Sequence, residues 1–331
     1  MVQSEGLKPT GTGGAGDVWE EAAYLAKEIA KAFLIFFPAF VALITVWHFP
    51  YDADPDPGEL RKAEPQRRPA SFYEAAYQRN DGQRRGVDYE KTARDAAVAA
   101  DVEGQVRRFA AQYVLAAKRV LEVGSGRGYL QDVVADYTGL DLSPAVAGRY
   151  HKPFVAASAT AMPFPEDSFD AIWTVWVLEH IPAPERALRE MRRVLKPGGM
   201  LFLMAAWNCP TWVAGGFNVR PYIDFNWRGK LVKASLAVRG SRWFLPLYLL
   251  PVRAIRWAHY ATRGENTRLR YRRLEPNYET YWEPDSDAAV SLDMYETYLW
   301  FRAQGNECLN CPRGARQYLV AGEPMILRIR K

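Results

Sequence analysis

The sequence has little sulfur and little histidine. Cys209, Cys308 and Cys311, three cysteines in 331 residues, are too few and too odd in number for a disulfide framework, and they favour a reducing, cytosolic setting. Cys308 and Cys311 form a C-x-x-C, but a zinc site takes four ligands. Cys209 and the four histidines are scattered, so no metal is expected. With 49% hydrophobic and 24% charged residues, the chain is an ordinary globular one, long enough to bury a core. Disordered, collagen-like and disulfide-scaffold classes are excluded for the chain as a whole. Acidic residues are scarce in one place. Between Cys209 and Glu275, thirteen Lys and Arg face only Asp224, Glu265 and Glu275, a balance of +10; the whole chain carries +5, so the remainder carries −5. A basic, aromatic-rich segment on a mildly acidic body suggests an anionic partner.

What is present is laid out in order. Residues 1–17 have no apolar period and read as a loose tail. Residues 18–50 hold the run Ala32–Phe49, eighteen residues without a formal charge, interrupted by Pro38. As a helix it spans roughly 27 Å, against a hydrocarbon core of about 30 Å. Two readings stand: a helix inserted in or lying on a membrane, or a buried core helix. The run begins too late for a secretory signal, and no small-residue cleavage site follows it. The flanking Lys and Arg lean toward a cytoplasmic C-terminal side. Residues 51–70 form a Pro- and charge-rich linker. Ser71 to about Ala117 reads as two or three helices. Short apolar runs then alternate with helical stretches, the pattern of βαβ units and a parallel sheet.

The informative segment is RVLEVGSGRGYLQDVV, Arg119 to Val134. A β-like run, Val120 to Val123, meets Gly124, Gly126 and Gly128, which allow a tight turn and close approach of a ligand to backbone. A helix is expected next, its N-terminus presenting free N–H groups. This is not the dinucleotide fingerprint, whose third glycine falls one position later. Asp141 follows thirteen residues after Gly128, where a second strand would end, and a carboxylate there can accept two hydrogen bonds from a ribose diol. An Asp before Leu-Ser-Pro also suits a helix N-terminal turn; the spacing favours the ligand reading. Beyond it we expect a strand over Phe169–Val175, a helix over Pro184–Leu195, a Lys196-Pro197-Gly198-Gly199 turn and a strand over Met200–Ala205.

Taken together, the E-x-G-x-G-x-G loop (Glu122 to Gly128), the LDLS acid, the MPFPEDSFDAI block, the LEHIP turn and the LKPGG turn resemble class I S-adenosylmethionine-dependent methyltransferases. They are most similar to the subgroup of ubiquinone and menaquinone biosynthesis methyltransferases. The resemblance covers Arg119 to Met204, 86 residues. It implies an α/β fold, a doubly wound seven-stranded mostly parallel sheet, with S-adenosyl-L-methionine across the strand C-termini. By resemblance, Glu122 would organise the loop near the methionine amino group, and Gly124, Ser125 and Gly126 would back the methionine and ribose, with Gly128 completing the loop. Asp141 would hold the ribose hydroxyls and Leu142 would cover the adenine. Close relatives place an Asp where this chain has Ser158 followed by Ala159, a departure that weakens or shares adenine recognition. His180 would face the acceptor and can take a proton from a hydroxyl; the alternative makes Glu179 and His180 turn residues bonded to local backbone.

In the resembling fold a helix and a hairpin follow the fifth strand directly. Here the helix is expected over Asp287–Gln304 and the hairpin near Glu307–Asn310 and Met325–Ile329, so the core spans 71–207 and 287–331. Residues 208–286 are then an insertion at the acceptor side, a substrate lid. Within 242–263 an apolar run precedes Arg253, Arg256, His259 and Arg263 at three- and four-residue intervals, as a helix lying in a bilayer surface requires. A solvated basic cap over ordinary core is the alternative. Arg268, Arg270, Arg272 and Arg273, interleaved with Tyr271, also admit a nucleic-acid patch, though no RNA-binding module is visible. The reading is a methyltransferase acting on a lipid-like or lipid-linked acceptor at the cytoplasmic face of a membrane, touched through 32–49 and 242–263. A nucleic-acid methyltransferase and a non-catalytic subunit of the same fold are the alternatives.

Overall fold

The computed structural model describes residues 15–47, 71–74, 89–241, 244–264, 268–278, 283–312 and 324–331. They belong to two compact units, residues 1–49 and 50–331. The described part of the first unit is one helix, α1 (Ala15–Trp47), whose side chains are described from 22 to 40. Ala, Glu, Leu and Lys favour helix in its first half, and Lys31 pairs with Glu28 at 2.5 Å. Phe33, Leu34, Ile35 and Phe36 are consecutive and all exposed, so this stretch is apolar on every side instead of along one stripe. Among the described residues no helix is long and apolar enough to cross a membrane. The Ala32–Phe49 run beyond Phe40, residues 1–14 of the expected tail and the 51–70 linker lie outside the described side chains or residues, and the last three residues of that tail, 15–17, are helical instead of loose.

In the second unit, short apolar runs become strands: β1 (Val120–Val123), β2 (Tyr137–Asp141), β3 (Phe154–Ala156), β4 (Phe169–Val175), β5 (Leu195–Met204), β6 (Arg272–Arg273), β7 (Val290–Ser291), β8 (Glu307–Cys308) and β9 (Met325–Arg328). Seven form one sheet in the order β3-β2-β1-β4-β5-β9-β8. The first five are parallel, and β9 and β8 close the edge antiparallel. The period of two divides β5 between two cores: Leu201 and Leu203 face one, Met200, Phe202 and Met204 the other. Helices cover both faces. On one, α4 (Pro184–Val194) buries Ala187, Leu188, Met191 and Val194, one side of an amphipathic helix. On the other, after α2 (Tyr89–Ala99), α3 (Val102–Gln112) sets Phe109 against Phe202 at 5.3 Å between rings. Because β1 lies between β2 and β4, the chain reverses direction across the sheet at β1. The crevice at the carboxyl ends of these strands is where open α/β sheets bind ligands.

Three expectations are corrected. No regular helix follows the glycine loop: residues 129–136 are turns and bends. Eight residues must carry the chain back to the start of β2, too few for a helix and its return. The last long helix, α7 (Met294–Ala303), begins seven residues later than Asp287, because the Asp293 side chain caps it by accepting the Tyr295 N–H at 2.7 Å, and β7 takes the residues before. Cys308 and Cys311, whose number argues against a disulfide framework, are joined as a disulfide with Cα atoms 5.5 Å apart. That removes the cysteine argument for a reducing setting.

The insertion contains α5 (Trp227–Arg239) and α6 (Phe244–Arg263), and its β6 pairs with β7. The expectation that Arg253 and Arg256 face a membrane is overturned. Arg253 grips Asp293 with Nε at 3.0 Å and Nη2 at 2.8 Å, and Arg256 grips Glu296 through Nε and Nη2. All four side chains are buried. These pairs fasten α6 to α7, one helix turn apart on each. Tyr271 is fully buried too, which removes the aromatic surface from the interleaved arginines. Arg256→Met should cost about 3–5 kcal/mol by leaving Glu296 alone in the interior, and Arg256→Met with Glu296→Leu should regain most of it. Urea unfolding of both variants checks this; a single variant as stable as the parent would make the pair energetically idle.

Candidate active site

The site begins where β1 ends. Gly124 leaves the strand at φ 72°, and a Cβ there would overlap the Val177 side chain. Gly128, at φ 71°, lies against the Tyr150 ring, 2.7 Å from where a Cβ would stand. Both positions therefore require glycine. The loop is held from below. The Gly124 and Ser125 N–H groups donate to Leu140 O at 2.8 and 3.0 Å, and the Gly128 N–H to Ser125 O at 2.9 Å. The Tyr150 hydroxyl lies 2.7 Å from both Ser125 Oγ and Gly126 O.

Asp141 ends β2 almost fully buried. Its Oδ2 accepts the Gly126 N–H at 2.8 Å and its Oδ1 the Ser143 N–H at 3.0 Å. Burial raises its pKa, and these backbone donors oppose the rise. A carboxylate accepts on both oxygens at about four lone-pair positions, so Asp141 can still accept from a diol beside these backbone donors. The Ala157 N–H donates to Asp141 O at 2.9 Å, which aligns the ends of β2 and β3 and brings half-buried Leu142, Ser158 and Ala159 to the same end of the sheet. Ser158 Oγ sits 2.9 Å from Thr160 Oγ1, a turn-forming role within its own loop. Glu122 lies under the loop, its carboxyl accepting from the Tyr137 hydroxyl. Burial pushes the Glu122 pKa up to about 8 against the lowering effect of that bond.

A second group assembles beyond β4. The turn Leu178–His180 carries a buried Glu179 and a half-buried His180. His180 Nδ1 lies 3.5 Å from Asp287 Oδ2 and 3.3 Å from Asp287 O, and Nε2 lies 3.8 Å from Glu179 Oε1. The Tyr73 hydroxyl donates to Asp287 Oδ2 at 2.8 Å, and its ring meets the His180 ring edge-on at 6.0 Å. Burial alone would lower His180, but Asp287 and Glu179 overturn that and raise it. Burial raises Glu179 to about 7, with His180 opposing. The imidazole thus answers to Asp287, 107 residues away in sequence, and not only to its own turn.

All the glycine-loop, Asp141 and Ser158 positions expected from sequence come together at the strand ends. Sequence reasoning missed Tyr137, Tyr150, Tyr73 and Asp287. None stands in a local motif; only their contacts mark them.

Residues 121–203 match the family model for the methyltransferase domain. This segment of the chain is similar to a methyltransferase domain. The donor set fits the S-adenosylmethionine that the sequence resemblance implies: the Asp141 carboxylate at the end of β2, a glycine-lined turn, and a carboxyl, Glu122, within the loop's footing. A demethylmenaquinone methyltransferase of Renibacterium salmoninarum is 38% identical over 123 residues, covering 33% of this chain and 51% of that one. A phthiotriol/phenolphthiotriol dimycocerosates methyltransferase of Mycobacterium leprae is 40% identical over 107 residues, covering 28% and 40%. The chain thus spans about half the length of these relatives or less. A solved amino pentose methyltransferase of Micromonospora echinaspora, bound to S-adenosylmethionine, has 26% identity and a TM-score of 0.31 over 36% of this chain and 56% of that one.

The buried Glu122 carboxyl should make the fold lose stability as pH rises from about 4.5 to about 8. Its folded value of about 8 exceeds the ordinary 4.5, so the folded state holds a proton that the unfolded chain has lost. Stability from this group is full below about pH 4.5 and falls as pH rises through 8. Glu122→Gln should flatten that fall: its urea midpoint should drop less between pH 6 and 9 than the parent's. Equal drops would remove Glu122 as the titrating group.

Proposed function

We propose that the protein is an S-adenosylmethionine-dependent methyltransferase that moves a methyl group to a hydroxyl, or to an amine or carbon, of a lipid-like or lipid-linked acceptor at the cytoplasmic side of a membrane. The observation that carries the reaction class is Asp141, buried at the end of β2, tied to the glycine loop through Gly126 at 2.8 Å, and still able to accept from a ribose diol. When bound, the cofactor supplies a methyl group activated by its sulfonium. The chain's residues would bind and orient it: Asp141 would accept hydrogen bonds from the ribose hydroxyls, Leu142 would cover the adenine, Ser158 and Ala159 would border it, and Glu122 would face the amino group with the Gly124–Gly128 backbone beside it. Such positioning alone can contribute about 7–11 kcal/mol to barrier lowering.

For a hydroxyl acceptor, His180 is the proton acceptor, and Asp287 and Tyr73 are positioning residues that hold its ring. The acceptor oxygen passes its proton to the imidazole as it takes the methyl group. The lipid-like class is supported by the named substrates of the relatives and by the exposed apolar stretch of α1. It is supported as well by exposed Leu247, Leu250, Ile255 and Trp257 on α6.

Asp141→Ala should weaken S-adenosylmethionine binding roughly 10- to 100-fold, since hydrogen bonds to charged groups contribute about 1.5–3 kcal/mol. Calorimetry reads this, and unchanged affinity would sink the assignment. Mass spectrometry of lipid extracts from cells with and without the protein should find an acceptor differing by one methyl group. With that acceptor, His180→Gln should lower turnover roughly 100-fold or more while leaving cofactor affinity intact. Asp287→Asn removes the main group that raises His180, so the acidic limb of the pH–rate profile should move to lower pH. An unmoved limb would leave Asp287 a purely structural residue.

A further inference from the structure

The insertion has a face that the proposed function leaves unused. Helix α5 buries none of its thirteen residues. Trp227, Leu231, Ala234 and Val238 recur at intervals of four, three and four, which puts them on one stripe, and all four are exposed. The chain leading into the helix adds Val219, Tyr222 and Ile223; Ile223 is 85% exposed, Trp227 67% and Leu231 62%. Soluble surfaces seldom gather so many large apolar side chains in one place.

Along the helix itself the charge has one sign, while in the approach Asp224 pairs with Arg220 at 3.7 Å. Residues 227–239 contain Arg228, Lys230, Lys233 and Arg239 and no acid. Arg228 and Lys230 flank the stripe and are exposed. Lys233 turns the other way, donating to Phe217 O at 2.5 Å and Asn218 O at 3.2 Å. Apolar side chains on the outer stripe, with basic ones at its margins, are the arrangement by which a helix lies in a lipid interface. Exposed Arg228 and Lys230 complement an anionic headgroup layer. The same segment reaches the acceptor side of the site. Asn218 Nδ2 donates to Glu283 Oε2 at 2.8 Å, and Ser286 Oγ lies 3.4 Å from Val213 O, one residue before Asp287.

We infer that the outer face of α5, with Ile223, docks on an anionic lipid bilayer and so delivers the His180 side of the site to a membrane-borne acceptor. This extends the lipid-like acceptor of the proposed function and rests on it for the acceptor, but not for the surface itself. The occupant is a phospholipid headgroup layer, not a protein.

Hydrogen exchange on the full chain tests it peptide by peptide, so any binding through α1 is read separately. With vesicles of equal parts phosphatidylglycerol and phosphatidylcholine, amides of 219–239 should gain protection. Pure phosphatidylcholine should give none, and Trp227→Asp with Leu231→Asp should abolish the gain at 219–239. No protection on anionic vesicles, equal protection on neutral ones, or protection that survives the double variant would each overturn the inference. So would protection of the same amides without vesicles that grows with protein concentration, the mark of a second copy on this face. Calorimetry with S-adenosylmethionine on the parent and the double variant stands apart. Failure of the parent to bind would end the methyltransferase reading and leave the surface result intact.

Discussion

The architecture of the site turns on one close approach, Gly124 against Val177. Gly124 carries the chain out of β1 in a conformation that L side chains adopt only at a cost, and the space a Cβ would take is filled by a residue of the neighbouring turn. Val177 stands two residues before Glu179 and three before His180. The loop that would face the cofactor and the turn that would face the acceptor therefore lie side by side, Val177 filling the space a Cβ on residue 124 would take. Parallel pairing of β1 with both β2 and β4 makes that contact possible, since it brings their carboxyl ends level. Asp141 then reinforces the loop from the other side through the Gly126 amide.

The basic insertion divides its charges between two tasks. Arg253 and Arg256 are spent inside, clamping α6 to α7 through Asp293 and Glu296. A buried arginine with a bidentate carboxylate keeps its charge satisfied, whereas alone it would not be tolerated there. Exposed cations remain elsewhere, Arg228 and Lys230 on α5 and Arg263, Arg268 and Arg273 beyond the clamp. The net charge of the segment is thus a poor guide to which of its faces is basic, because two of its cations never meet solvent.

Much of the fold was legible in the residues. Phe169–Val175 reads as a strand because an apolar run sits between turn signals, and the Pro184 helix because its apolar residues recur on one side. The glycine loop and Asp141 could be placed because their spacing reflects steric demands within a few residues. The helix expected after Gly128 failed because a generic βα unit was assumed where only eight residues connect loop and strand. The outward reading of Arg253 and Arg256 failed because helical periodicity reports which residues share a face and says nothing of what that face meets. The pairing of Cys308 with Cys311 was passed over on a count of cysteines, when proximity in a turn was the relevant fact.

By itself the sequence determined the α/β class, the loop and the acid that meets it, since these follow from backbone sterics and from spacing along the chain. Only the tertiary structure decided how His180 is held, because Asp287 and Tyr73 reach it from distant segments. It also decided which arginines are internal, since the partners of Arg253 and Arg256 lie 40 residues on. Burial of a charge depends on a partner brought up by folding, and no local pattern of residue types records that partner.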